Sequence, residues 1–164
     1  MSELTYAEAV NALFTQLPMF QRQGPAAYKA DLSDTRLVCA ALENPENALK
    51  FVHVAGTNGK GTVCHMVAAA LQQAGCRVGL FTSPHLVDFR ERIRINGACI
   101  PEKAVVDFVG HWQASEGAWG TPSFFELTFG MALVHFAQSQ CEVVVVETGM
   151  GGRLDSTNVI PSPE

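Results

Sequence analysis

Phe51-Val52-His53-Val54-Ala55-Gly56-Thr57-Asn58-Gly59-Lys60-Gly61-Thr62-Val63 is the stretch that decides the fold. Its first four residues form a short β-type run of aromatic and β-branched side chains. The run enters a glycine-rich segment, and an amphipathic helix follows directly, with Val63, Val67, Ala70, Leu71 and Ala74 expected on its apolar face. Gly75 suits the C-terminal cap of that helix, and Arg77–Thr82 reads as the next strand. Strand, glycine-rich loop, helix and strand make a βαβ unit, for which a right-handed crossover in a parallel sheet is the default.

Toward the N-terminus, Thr5 and Glu8 have the spacing of a capping box. They open a helix with Tyr6, Val10, Leu13, Phe14 and Leu17 on one face, which Pro18 ends. Residues 21–30 read as a polar loop, and a short helix near Thr35–Leu42 is broken by Asn44-Pro45. Toward the C-terminus, Arg92–Ile95 and Ala98–Ile100 flank Asn96-Gly97, a strong hairpin signal. Pro101-Glu102 opens a helix carrying Val105, Val109 and Trp112, and 114–121 is a loop. Phe125, Phe129, Ala132, Leu133 and Phe136 mark a longer helix. The four valines 143–146 are a continuous apolar run, as expected of a central parallel strand buried on both faces. That strand ends at Glu147 before the glycine-rich loop 149–155, and Thr157–Ile160 is a further β-like piece.

The fold class is therefore α/β, P-loop NTPase-like, with a mostly parallel sheet flanked by helices. About three core strands are legible where a sheet commonly has about 4–6, so the domain reads as cut off partway. At 164 residues the chain is one domain or part of one. With 48% hydrophobic and 16% charged residues, disorder is excluded. A formal charge of −5 argues against sequence-independent nucleic-acid binding, which needs a basic face. It leaves anionic small ligands open, because backbone N–H groups can hold those. No apolar run approaches the ~18 residues that span a bilayer, and Met1-Ser2-Glu3-Leu4 begins no signal peptide, so a cytoplasmic protein is expected. The five cysteines are odd in number and never in a Cys-x-x-Cys pair, as suits reduced thiols. The five histidines have no metal-ligand spacing, and His53 and His135 read as structural residues of a strand and a helix.

The chemistry centres on Gly56, Thr57, Asn58, Gly59, Lys60, Gly61 and Thr62. Glycines let the backbone turn so that successive N–H groups face one anion, the helix N-terminus points at the same place, and Lys60 adds a charge for the terminal phosphates. The match to the standard P-loop pattern is imperfect: Val54 replaces its first Gly, and Gly61 follows the Lys where Ser or Thr is usual. Mg²⁺ needs few protein ligands when phosphates and waters supply the rest, and open α/β sheets gather ligands at the C-terminal ends of their strands. Ser83 and Glu147 stand at such ends. Ser83 is equally explained as a turn or cap residue, while Glu147 reads as a cation-binding carboxylate ahead of a strand-end surface acid. Arg90–Arg94 reads as a solvated strand edge ahead of a phosphate contact. Phe124-Phe125-Glu126 reads either as core or as a flat platform for a heteroaromatic ring.

Taken together, Gly-Thr-Asn-Gly-Lys-Gly-Thr (56–62), Ser-Pro-His-Leu (83–86), Glu-Arg-Ile-Arg-Ile-Asn-Gly (91–97), Phe-Glu (125–126) and Glu-Thr-Gly-Met-Gly-Gly-Arg-Leu-Asp-Ser-Thr-Asn (147–158) resemble the folylpolyglutamate synthase / dihydrofolate synthase family, a branch of the ATP-dependent Mur ligases. The resemblance runs from about residue 5 to residue 160, with the motifs in family order. It implies a ligase that uses ATP and Mg²⁺ to join L-glutamate to a folate, tetrahydrofolate or dihydropteroate, through an acyl phosphate. It implies Lys60 and Glu147 as catalytic residues, 56–62 as the ATP-binding loop, and Ser83 and Glu147 as Mg²⁺ ligands. It further implies Phe124, Phe125, Glu126, Leu154, Asp155 and Ser156 on the pterin side, with a weaker match at Asp31-Leu32.

Residues 1–164 then correspond to an incomplete N-terminal ATP-binding domain without the C-terminal domain. A second-Mg²⁺ histidine, a carbamylated lysine and further nucleotide contacts of the family have no counterpart here. The resemblance thus implies a chain that binds phosphate weakly and catalyses nothing alone, from a monomeric parent with no nucleic-acid or membrane partner. An unpaired sheet edge would let the piece self-associate. Competing readings are a muramyl-type amino-acid ligase, against which Gly61 and the Phe124-Phe125 pair argue, and a non-catalytic nucleotide-binding module.

Overall fold

The computed structural model describes residues 4–19, 31–115 and 117–161. The loop expected over 21–30 and the terminal residues 162–164 lie outside them. Helix α1 (Tyr6–Gln16) starts where the sequence places it. Thr5 Oγ1 accepts from the Glu8 N–H and the Glu8 carboxylate accepts from the Thr5 N–H, which closes the capping box. Helix α2 (Ser33–Ala41) follows, and Pro45–Ala48 forms a 3₁₀ turn. Strand β1 (Phe51–Val54) leads through the glycine loop into α3 (Lys60–Gln73), and β2 (Val78–Phe81) comes next. A 3₁₀ turn (Phe89–Arg92) enters the hairpin β3 (Ile93–Ile95) and β4 (Ala98–Cys99). Helices α4 (Glu102–Ala114) and α5 (Phe124–Gln138) precede β5 (Val143–Glu147).

The sheet order is β1-β5-β2-β3-β4. β5 is inserted between β1 and β2 and runs parallel to both, so the β1–α3–β2 crossover spans one strand. The hairpin adds two antiparallel strands at the far side of β2. Asn96 and Gly97 both have positive φ (48° and 82°), the pair that a type I′ turn demands, and Asn96 Oδ1 also accepts from the Val78 N–H at 2.8 Å.

Strand alternation sorts the sheet into two faces. Phe51, Phe81, Val144 and Val146 join the large core beneath α5, while Val78, Leu80 and Val145 meet Cys64 and Ala68 of α3 on the opposite face. Glu147 has the parity of Val145 and therefore lies on the α3 face. The buried stripe of α3 runs through Cys64 and Ala68, with Val67 and Leu71 half-buried, whereas Val63 is 46% and Met66 68% exposed. The apolar face expected through Val63, Ala70 and Ala74 is thus rotated, because the small Cys64 and Ala68 let the helix approach the sheet closely. Gly75 caps α3 as expected: it has φ +92°, its N–H bonds Gln72 O, and the Cys76 N–H bonds Leu71 O, a Schellman pattern.

Thr157–Ile160 is not a strand. Ser156–Val159 forms a 3₁₀ turn capped by Asp155, which accepts from both the N–H and the hydroxyl of Thr157. This local side-chain capping outcompetes the β propensity of the segment. Among the described residues no helix is long and apolar enough to cross a membrane.

Candidate functional site

Strand ends and the start of α3 converge at one edge of the sheet. Val54 is in register with Glu147, so the glycine loop leaves β1 beside the carboxylate that ends β5. Gly59 is the N-cap of α3 at φ +76°, a left-handed conformation that favours glycine, and no side chain caps the helix. The first N–H groups of α3 are therefore left to the loop's interior, where an anion is favoured. Lys60 Nζ folds back onto Gly56 O at 3.0 Å. The ammonium is thereby kept at the mouth of the loop.

Glu147 is buried, at 6% exposure, and its Oε2 accepts from the Ser83 N–H at 3.0 Å. A Cβ placed on Gly61 would lie 3.5 and 3.6 Å from its two carboxylate oxygens, so the missing side chain leaves the space next to them clear. The negative charge is felt by Cys64, whose thiol is pushed up to about 12 by burial and then by Glu147. Among the described residues no group of three or more His, Cys, Asp or Glu can cage a metal. One carboxylate and one serine fit only a cation that brings phosphate and water ligands with it, which is the habit of Mg²⁺.

A second group of residues lies on the α5 face. Phe125 packs edge-on against Phe81 with centroids 5.6 Å apart, and a Cβ on Gly149 would meet Phe125 Cζ at 2.7 Å and Asp155 Oδ2 at 3.2 Å. Phe125, Gly149 and Asp155 are thus in contact. Asp155 is buried and holds the loop shut, with Oδ2 accepting from the Met150 N–H at 2.6 Å and Oδ1 from the Thr157 N–H at 3.0 Å. His53 Nε2 meets Thr157 Oγ1 at 2.8 Å and ties the loop to β1; burial depresses its affinity for a proton, against the pull of Asp155. Leu154 is exposed and Ser156 half-buried beside them.

Phe124 and Glu126 are placed differently. Phe124 is buried and stacked on Phe14 at 5.0 Å, with the Arg92 guanidinium 5.1 Å from its ring centre. Glu126 is buried, with Oε1 accepting from Thr35 Oγ1 at 2.9 Å and Oε2 from the Ser123 N–H at 2.7 Å, the latter part of the α5 capping box. Asp31, the weaker candidate, accepts from the Ser33 N–H at the start of α2.

The Arg90–Arg94 stretch corrects its expected reading. It is not a solvated strand edge: Phe89–Arg92 is a 3₁₀ turn and Arg92 is 3% exposed.

No protein-family model matches the chain. Individual proteins do. The chain is 40% identical over 161 residues to a probable bifunctional folylpolyglutamate synthase/dihydropteroate synthase of Haloferax volcanii, covering 96% of this chain and 18% of that protein. It is 39% identical over 138 residues to a dihydrofolate synthase/folylpolyglutamate synthase of Bacillus subtilis, covering 80% and 32%. A crystal structure of folylpolyglutamate synthase from Thermotoga maritima superposes with a TM-score of 0.83 at 37% identity, over 96% of this chain and 36% of that one. A bifunctional folylpolyglutamate synthase/dihydrofolate synthase solved with Mn, AMPPNP and L-glutamate superposes with a TM-score of 0.78 at 33% identity, over 96% and 36%.

The chain belongs to the folylpolyglutamate synthase / dihydrofolate synthase family. It spans between about a fifth and about a third of the length of the curated relatives it matches.

Against that family frame, two contacts escaped the sequence reading. One is the loop 84–88, where the Glu91 carboxylate accepts from the N–H groups of Leu86, Val87 and Asp88 at 3.0, 3.1 and 2.9 Å. The Asp88-x-x-Glu91 spacing is a capping-box signal that could have found it. The other is the Arg92–His85 pair, for which no spacing rule exists.

Proposed function

We propose that the chain is the nucleotide-binding portion of an ATP-dependent ligase that adds L-glutamate to folates, with dihydropteroate as a second acceptor. One observation carries the proposal: an uncapped helix N-terminus and Lys60 lie beside a buried Glu147 bonded to Ser83, in a chain of this family. On this reading the N–H groups of 56–62 receive the phosphates of ATP. Lys60 exchanges Gly56 O for the terminal phosphates and offsets charge on the group in transfer. Ser83 and Glu147 would hold Mg²⁺, which when bound neutralises phosphate charge.

An oxygen of the folate carboxylate takes the terminal phosphoryl group of ATP, the bridging P–O bond breaks, ADP leaves, and an acyl phosphate forms. The glutamate amine attacks its carbonyl carbon, the C–O bond to phosphate breaks, and phosphate leaves. Phe125 and Leu154, with Ser156, offer the surface for the pterin. Phe124, Glu126 and Asp155, whose side chains are committed inside the fold, position that surface. The substrates are soluble small molecules, as befits a cytoplasmic enzyme with no nucleic-acid or membrane partner. The relatives are much longer, so we infer that these 164 residues bind nucleotide but do not complete the cycle alone.

Two experiments test this. Titration of the chain with a fluorescent ATP analogue should show Mg²⁺-dependent binding that Lys60→Ala weakens at least about tenfold, the scale of one charge-assisted phosphate contact. Binding that is absent, or equal in the variant, overturns the nucleotide site. Separately, residues 4–161 should replace the matching segment of the Thermotoga maritima enzyme with ATP- and folate-dependent glutamate incorporation retained. A folded chimera that binds ATP but adds no glutamate overturns the substrate assignment.

A further inference from the structure

The sequence holds two Asn-Gly pairs, Asn58-Gly59 in the glycine loop and Asn96-Gly97 in the hairpin turn. Such a pair carries its own chemistry. The carboxamide of the asparagine and the backbone nitrogen of the next residue can close a five-membered ring, and glycine, with no Cβ, hinders that approach least. Closure requires a side chain free to swing onto the nitrogen. At Asn96 it is not free. Its Oδ1 accepts from the Val78 N–H at 2.8 Å and its own N–H donates to Val78 O at 3.0 Å, so the residue is held against β2.

The pair in the glycine loop is open on every count. Asn58 and Gly59 are both exposed to solvent. Among the described residues neither the Asn58 side chain nor the Gly59 N–H has a hydrogen-bond partner. Gly59 is also the N-cap of α3, so its nitrogen lies at the positive end of the helix. The Lys60 ammonium, on Gly56 O at 3.0 Å, adds its charge to the same loop. Both favour the deprotonated amide, which is the species that attacks.

We propose that Asn58-Gly59 is a site of spontaneous deamidation, suppressed by bound nucleotide, through which a loop without nucleotide loses its function. The Gly59 nitrogen gives its proton to hydroxide and bonds to Asn58 Cγ. The Cγ–Nδ2 bond breaks, and the amide leaves as ammonia with a proton from water. Water then opens the cyclic imide at either carbonyl, breaking one C–N bond, to give aspartate or its iso form. One water is consumed, one ammonia is released, and nothing is oxidised or reduced. Either product puts a carboxylate where an anion would enter, and the iso form lengthens the backbone by a methylene. The new charge repels phosphates yet suits a helix N-terminus, so the fold persists while binding is lost. The suppression rests on the nucleotide reading of the loop, because a Gly59 N–H that donates to a phosphate is not available to attack. The deamidation itself does not rest on that reading.

The test ages the whole chain in warm, mildly alkaline buffer, with and without Mg²⁺ and a non-hydrolysable ATP analogue. Trypsin then leaves each pair on its own peptide, Phe51–Lys60 and Ile95–Lys103, each with a single asparagine. Mass spectrometry follows the replacement of NH by O in both. Without nucleotide, the Asn58 peptide should convert at least about fivefold faster than the Asn96 peptide, the ratio set by one hydrogen bond that must first open. The bound analogue should slow the Asn58 conversion by a similar factor. Asn58→Asp should keep the wild-type denaturation midpoint and weaken analogue binding, as ageing does. Equal rates at the two pairs, or no conversion at Asn58, would overturn the proposal. So would an Asn58 rate that the bound analogue leaves unchanged, or an Asn58→Asp chain that binds the analogue as tightly as the wild type. An analogue that does not bind at all sinks the nucleotide reading, and the comparison without nucleotide still decides the deamidation.

Discussion

An alanine at Gly149 would place its Cβ 2.7 Å from Phe125 Cζ and 2.9 Å from Cε2, closer than real Cβ contacts come. The ring is half-buried against Phe81 and cannot simply lift away. Gly149→Ala is therefore expected to cost about 1–3 kcal/mol, the usual range for overpacking, measured by urea denaturation. Gly61→Ala makes the contrast. Its Cβ would sit 3.5 Å from Glu147 Oε2, an ordinary contact, and alanine is the better helix former by about 1 kcal/mol. Stability should hold or rise, while Mg²⁺-dependent ATP binding falls because the methyl group stands over both carboxylate oxygens. Unchanged ATP binding would count against Glu147 as the cation's partner. At this scale the sequence was readable where a residue type serves one purpose. Lys60, Ser83 and Glu147 stand at the strand and helix ends that their motifs imply. For Glu126 only half of its structural role was readable: Ser123 stands three residues before it at capping-box spacing, whereas Thr35, which donates to its other oxygen, lies 91 residues away in sequence.

Among the elements, those with strong local grammar were legible: the strand–loop–helix–strand unit, the Asn96-Gly97 hairpin, and the valine strand, which lies in mid-sheet as its unbroken hydrophobicity implies. What was lost is mostly tertiary. The phase of α3 depends on which residues the sheet lets close. The 156–159 turn has a local cause in the Asp155 cap, which the β propensity of the segment masked, and a tertiary one in His53 of β1, which meets Thr157. Helix ends offer an elementary test. Gln140 ends α5 at φ +54°, with its N–H on Ala137 O and the Cys141 N–H on Phe136 O, the same pattern that Gly75 makes after α3. A side chain in that region is strained by roughly 1–2 kcal/mol, and glycine returns about half of the relief through its freer unfolded chain. Gln140→Gly should therefore stabilise by about 0.5–1 kcal/mol in denaturation, and a loss of stability would show that the capping strain is absent. Removing the Asp155 carboxylate should act oppositely. Asp155→Ala frees the N–H groups of Met150 and Thr157, so their hydrogen exchange should accelerate while that of Val144 and Val146 at the sheet centre does not.

In the molecule as a whole, three histidines are taken out of water in places that share no contact: His53 on β1, His85 beside Arg92, and His135 on α5 near Arg77. Burial is the leading cause at each, and each is held below its ordinary pKa; Arg92 adds to the effect at His85, and Arg77 at His135. The sign follows from linkage. Above the unfolded pKa of about 6.5 both states are neutral at these rings and stability is fully present. As the pH falls through that value the unfolded chain takes up protons that the folded one resists, so stability declines until the folded pKa values are reached. The three contributions have the same sign and, being distant, should add. Denaturation midpoints should therefore drop between pH 7.5 and 5.5, well above the range where Asp88, held far below ordinary carboxylates by Arg90, begins to protonate. His135→Gln removes a site remote from both candidate binding regions, so it should flatten part of the decline without touching ATP binding. A midpoint that is level across that interval would mean that these imidazoles are hydrated in solution, and the packing of α5 and of the 149–157 loop against β1 would have to be looser than the structure has it.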